Sequence, residues 1–263
     1  MSSIETKDLV LGYEERIVIE ELSVAFPKGR ITALVGGNGS GKSTLLKGLA
    51  RVLAPSAGAA YLDGRAIHGL PTREVAREIA MLPQGPETPE GLRVRELVRY
   101  GRFPYRRLLA GESEADRDAV SRALELTDLS ELSDRPLDSL SGGQRQRAWI
   151  AMALAQETEI LLLDEPTTFL DMAHQLEVLR LLEHLNVEEG RTIIMVLHDL
   201  NQASRFAHHI IGIVEGRIHI EGTPEEVMRP ETFRRLFGVD ADIINDPRSG
   251  CLLCVPHMLG RQA

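Results

Sequence analysis

The chain has 263 residues, room for one large α/β domain or two small ones. With 43% hydrophobic and 26% charged residues it can bury a substantial core, which excludes general disorder. Lys plus Arg number 30 against 39 Asp plus Glu, and the formal charge of −9 argues against a general nucleic-acid coat. Two cysteines, Cys251 and Cys254, are too few for a disulfide-stapled secreted scaffold. The amino end carries charges where a signal peptide needs an apolar stretch. No apolar run approaches the ~20 residues of a membrane span. The expectation is a cytoplasmic protein that serves any membrane from the side.

In chain order, residues 4–11 and 17–26 alternate as strands do, with a turn at Pro27-Lys28-Gly29. Residues 31–35 are apolar and β-branched, and they end in a glycine cluster. Helical spacing follows over 43–53, stopped near Pro55 and Gly58. From about Glu87 to Ala155 no clear strand is predicted, and 115–126 reads as a helix. Strand and helix alternate again with a buried strand at 160–163, a helix at 172–185 and a strand at 193–197. Two strand-like runs, 210–214 and 217–220, flank Gly216. The pattern is a helical insertion within an α/β core, without repeats or a flexible linker.

Three motifs carry chemistry. Gly36-Gly37-Asn38-Gly39-Ser40-Gly41-Lys42-Ser43, followed by Thr44, fits G-x-x-x-x-G-K-[ST] between a strand and a helix. Glycine amides curl around phosphate oxygens there, Lys42 reaches the β- and γ-phosphates, and Ser43 offers a hydroxyl to Mg2+. Asp164 and Glu165 end an apolar strand, where open α/β sheets bind ligands. Adjacent acids point to different sides, so Asp164 suits Mg2+ and Glu165 an attacking water. Leu140-Ser141-Gly142-Gly143-Gln144 opens another helix, capped by Ser141. One nucleotide has no need of a second glycine-rich anion site on the same subunit, so this one suits the nucleotide of a partner.

The chain resembles the ATP-binding subunits of ABC transporters from about Ile4 to Met228. The motifs stand in family order: the phosphate loop, Gln84 after Met81-Leu82-Pro83, L-S-G-G-Q, Leu161 to Thr167 as L-L-L-D-E-P-T, Asp171, and Leu197-His198-Asp199. Within the family it is most similar to the ATPases of iron–siderophore importers and their vitamin B12 relatives. The stretches V-R-E-L-V-R-Y-G-R-F-P-Y (94–105), H-D-L-N-Q-A-S-R (198–205) and E-G-T-P-E-E-V-M (221–228) carry that likeness.

The resemblance implies an α/β P-loop NTPase core with an N-terminal antiparallel β-subdomain and an inserted helical subdomain. Residues 4–240 would be the ATP-binding domain, made of a core at 4–86 and 155–240 with helices at 87–154, and 241–263 a tail. Tyr13 would stack on adenine. Gln84 would sense Mg2+ and the attacking water, Glu165 would be the base, and His198 would contact the γ-phosphate. Ser141, Gly142, Gly143 and Gln144 would close over ATP held by a second copy, with Asp171 at the seam. ATP and Mg2+ are the implied cofactors. The implied partners are a second copy, two membrane-spanning permease subunits and, indirectly, an extracytoplasmic binding protein; nucleic acid is not among them. Iron–siderophore is the leading cargo, with cobalamin or haem as alternatives and a soluble non-transport ABC ATPase further behind. One departure from the family pattern is Gly37, where proline is usual.

Bland readings remain for the other features. His208-His209 reads as a solvated helix end, and Cys251 and Cys254 show neither zinc nor redox context. Arg93, Arg95, Arg99, Arg102, Arg106 and Arg107 form a basic cluster. It is expected to approach membrane subunits and lipid head groups rather than only water.

Overall fold

The computed structural model describes residues 3–14, 16–86, 90–106, 111–168 and 170–259. In chain order these form β1 (Ile4–Tyr13), β2 (Arg16–Phe26), β3 (Ile31–Val35), α1 (Lys42–Leu49), β4 (Ala57–Leu62) and β5 (Arg65–Ala66). Next come α2 (Thr72–Glu78), β6 (Ile79–Leu82), α3 (Val94–Tyr100), α4 (Glu114–Leu126), α5 (Gly142–Ala155), β7 (Ile160–Leu163) and α6 (Met172–Glu189). The chain continues through β8 (Thr192–Val196), α7 (Leu200–Phe206), β9 (His209–Val214) and β10 (Arg217–Gly222). It finishes with α8 (Pro224–Val227), α9 (Pro230–Phe237), β11 (Val239–Asn245) and β12 (Leu252–Leu259).

Two compact units result: the described residues up to Leu70 together with those from Thr192 onward, and Pro71–Arg191. In the first, an antiparallel sheet runs in the order β2-β1-β4-β5. Four further strands are ordered β10-β9-β3-β8, with β3 parallel to both β8 and β9. All five residues of β3 and of β8 are buried, which is why their sequences read as unbroken apolar runs.

In the second unit β6 and β7 pair in parallel, and α3, α4 and α5 pack on one another. The expected helical stretch shows no strand among its described residues; 87–89, at its start, lie outside them. Several expectations are corrected. Helix α1 stops four residues short of Leu53, because Val52 and Leu53 both donate to the Lys47 carbonyl and Arg51 turns left-handed at φ 62°. Helix α6 runs past Leu185 to Glu189, where Gly190 at φ 67° ends it.

His208 lies exposed just past the end of α7, as expected, but His209 belongs to a strand. His208 accepts the Ile31 N–H at Nδ1, and His209 opens β9, where burial pulls its imidazole down. The tail forms a β11–β12 hairpin, with Val239 opposite Leu259 and Asn245 opposite Leu252. Cys251 and Cys254 are free, and burial pushes the Cys254 thiol up to about 11. No group of three metal-ligating side chains occurs among the described residues.

Arg102 leaves the predicted basic cluster. It is 4% exposed, pairs with Asp116 at 2.9 Å and Glu157 at 2.7 Å, and lies over the Tyr105 ring. Arg99 is paired with Glu112, and Arg107 lies outside the described residues. The reason is local: Asp116 caps α4 in a box with Ser113, so a buried carboxylate demands a cation beside it. Burial alone would raise the Asp116 pKa, but hydrogen bonds from Ser113 and Arg102 hold it below the ordinary carboxylate value. Arg102→Ala strands that charge and is expected to cost about 3–5 kcal/mol of stability in a urea titration at neutral pH. Because Asp116 titrates lower when folded, its share is complete above the unfolded value of 3.8 and lost as pH falls through the folded one.

Candidate nucleotide site

In the first unit, β3 delivers the chain into the phosphate loop. Gly36 holds φ 144°, and a Cβ there would lie 2.2 Å from the Ile213 carbonyl oxygen. Gly41, at φ 108°, ends the loop against Ile19. The Lys42 ammonium folds into the loop's mouth, donating to the carbonyls of Gly36 (3.0 Å) and Gly37 (2.8 Å) and to Ser40 Oγ (3.3 Å). Asn38 and Gly39 are exposed at the tip, and Ser43 and Thr44 start the helix behind it. Gly37 lies outside the left-handed region, and a Cβ would only touch the Leu236 oxygen at 3.5 Å. A side chain is admitted there, so the departure from proline is structurally mild.

Tyr13 stands 44% exposed at the end of β1, with the Lys47 ammonium 5.7 Å from its ring centroid. The ring presents an open face on the unit that carries the phosphate loop. His198 follows β8 in the same unit, exposed, and Asp199 next to it caps α7 through the Asn201 N–H.

The second unit gathers the remaining predicted residues. Parallel pairing sets Leu82 opposite Leu163. Two residues further along each strand, Gln84 and Glu165 meet, with Gln84 Nε2 donating to Glu165 Oε2 at 2.6 Å. Thr168 Oγ1 donates to the same oxygen at 2.9 Å. Asp164 is buried at 2% exposure, whereas Glu165 is partly exposed and turns the chain at φ 53°. The adjacent acids thus take different environments, because the chain turns left-handed at Glu165 just past the end of β7.

Ser141 caps α5 through the Gln144 N–H and receives the Gln144 side chain on its own N–H, closing a capping box. Asp171 caps α6 and accepts His174 Nδ1 at 2.7 Å. Hydrogen bonds from the His174 backbone and ring hold the Asp171 carboxyl below its ordinary value. The His174 ring lies against Gly143, where a Cβ would approach it to 2.9 Å. Gln146 also donates to the Pro166 carbonyl, tying α5 to the turn after Glu165. Thr168 and His174 were not singled out from sequence. Thr168 stood in view beside the D-E-P-T run, and His174 lies one helical turn after the Asp171 cap.

A family model for ABC transporters matches residues 19–168. The chain belongs to the ABC transporter ATP-binding family. It is 56% identical to the probable siderophore transport system ATP-binding protein YusV of Bacillus subtilis, over 99% of this chain and 95% of that one. It is 48% identical to the ferric enterobactin transport ATP-binding protein FepC of Escherichia coli, over 100% and 96%. Among solved structures it is similar to the dimeric, post-hydrolysis ATP-binding cassette MJ0796 bound to ADP and Pi. That likeness has a TM-score of 0.74 and 30% identity, over 84% of this chain and 98% of that one. ATP is therefore the nucleotide, and its hydrolysis the reaction, of this ABC ATPase.

Two glycines separate the loop's strict demands from its tolerant ones. Gly36→Ala is expected to weaken binding of a fluorescent ATP analogue by roughly 10–100-fold, the equivalent of ~1–3 kcal/mol of strain. Gly37→Ala should stay within about twofold of wild type, since its Cβ meets no forbidden contact.

Proposed function

We propose that this chain is the ATP-hydrolysing subunit of an importer of iron–siderophore complexes, held peripherally at the cytoplasmic face of the membrane. Carrying the reading is the Gln84–Glu165 contact inside an ABC sequence whose full-length relatives are named for siderophore transport. No helix among the described residues is long and apolar enough to cross a membrane, consistent with separate permease subunits.

Glu165 takes the proton from the water that attacks the γ-phosphate, and Gln84 and Thr168 fix the receiving carboxylate in place. Lys42 binds the β- and γ-phosphates, Tyr13 stacks on adenine, and His198 contacts the γ-phosphate. Ser43 and Asp164 would hold Mg2+. The buried Asp164 carboxylate is the hard oxygen donor that such an ion, which keeps waters and shares phosphate oxygens, takes. When bound, Mg2+ supplies positive charge against the phosphates.

Two copies sandwich two ATP molecules, with Ser141, Gly142, Gly143 and Gln144 of one facing nucleotide held by the other and Asp171 at the seam. Support comes from the presence of two glycine-rich helix starts, and from the dimeric cassette among the similar structures. The cassette spans 4–240, and its helices at 87–154 dock on cytoplasmic loops of two permease subunits. A cleft of about 280 Å3, lined by Leu92, Glu96, Arg99, Tyr100 and Arg106, suits such a loop. An extracytoplasmic binding protein would deliver the cargo.

Glu165→Gln tests the chemistry and the coupling together. It is expected to bind ATP as wild type does, to hydrolyse it ~10²–10⁴-fold more slowly, and to accumulate as a dimer. Cells that rely on it should fail to take up radiolabelled ferric siderophore, while wild type restores uptake. Wild-type turnover in the variant would remove Glu165 from the mechanism. Uptake of labelled cobalamin alone would move the cargo to that class.

A further inference from the structure

The C-terminal hairpin has no part in the scheme above, yet it is tied to the element that follows His198. Strand β12 pairs with β11 on one side only, so alternate backbone groups on its other side need partners. Helix α7 supplies them. The Asn201 amide reads Cys254 as a neighbouring strand would: its Oδ1 accepts the Cys254 N–H at 2.7 Å, and its Nδ2 donates to the Cys254 carbonyl at 3.2 Å. Ser204 Oγ donates to the Leu252 carbonyl at 2.8 Å. A three-residue step on the helix thus matches a two-residue step on the strand, because both put their members on one face.

The same helix is anchored at its start by Asp199, whose carboxylate accepts the Asn201 N–H at 2.8 Å. One residue therefore joins the hairpin through its side chain and the cap beside His198 through its backbone. A cleft of about 310 Å3 opens here, lined by His198, Asp199 and Asn201 and by Phe233, Phe237 and Cys254. Beside this cleft, the Asn201 and Ser204 hydrogen bonds tie the start of α7 to the hairpin.

We propose that Asn201 is a positioning residue for ATP hydrolysis, through which the hairpin of β11 and β12 sets the His198 turn. The inference rests on the reading of His198 as the γ-phosphate contact. It gives the tail a role in turnover and accounts for Asn201 and Ser204 within H-D-L-N-Q-A-S-R.

Steady-state hydrolysis by the full chain tests it. Asn201→Ala should lower kcat by about fivefold or more with KM for ATP within about twofold, the pattern of a lost transition-state contact. In a His198→Ala background the same change should do nothing further. Arg234→Ala, which breaks the surface pair between Arg234 and Asp240 at the hairpin's other flank, should leave kcat unchanged. Should Asn201→Ala not fold, Ser204→Ala takes its place, with an expected fall in kcat of about two- to threefold at constant KM. Wild-type kcat in a folded Asn201→Ala or Ser204→Ala chain, beside an inactive His198→Ala chain, would overturn the link alone. An equal fall in the His198→Ala background would overturn it too. Wild-type turnover in His198→Ala would instead overturn the reading beneath it.

Discussion

Parallel pairing of β6 with β7 is the constraint on which the hydrolytic half of the molecule depends. With Leu82 opposite Leu163, each strand has two residues to run before its functional side chain, so Gln84 and Glu165 arrive together. A slip of one residue would send Gln84 to the other face and cost Glu165 the Gln84 donor, leaving Thr168 on that oxygen. The strands can hold that register because their core is apolar. Ile160, Leu161, Leu162 and Leu163 are all buried, as are Ile79, Ala80 and Leu82 on the partner. Burial on both faces fixes a geometry that the exposed loops beyond could not fix alone.

Around that register the remaining parts follow one physical rule, that charge is placed where backbone or side-chain dipoles already wait for it. The phosphate loop collects amides and the Lys42 ammonium at the start of α1. Ser141 and Gln144 close the start of α5 with a reciprocal cap, and the Asp171 carboxylate caps α6 by accepting both the backbone N–H and the ring of His174. Since the His174 ring rests on Gly143, the cap of one helix is held against the glycine that opens the other. The helices of the second unit repeat the rule in their core, where Arg102 answers the buried Asp116.

Much of this was legible in the sequence, because the motifs are local and their residue types are dictated by chemistry. Gly36 must be glycine for its φ and for the Ile213 carbonyl; no tertiary knowledge is needed to suspect it. What escaped was set by distant partners. Arg102 reads as one more surface arginine until Asp116, fourteen residues on, is seen beside it. His209 reads as part of a helix end until it is seen to open β9 opposite Thr32. The end of α1 came earlier than Pro55 suggested, because the Lys47 carbonyl captures two later amides. The tail carried no motif at all, since β12 is recognised through its backbone, which sequence does not display.

The central claim is that Gln84 acts through Glu165, so the decisive measurement is a double-mutant cycle on kcat for ATP hydrolysis. Gln84→Ala should lower kcat roughly tenfold in the wild-type chain and leave it unchanged in a Glu165→Gln chain. The same factor in both backgrounds would show that the two residues work independently, and would contradict the account.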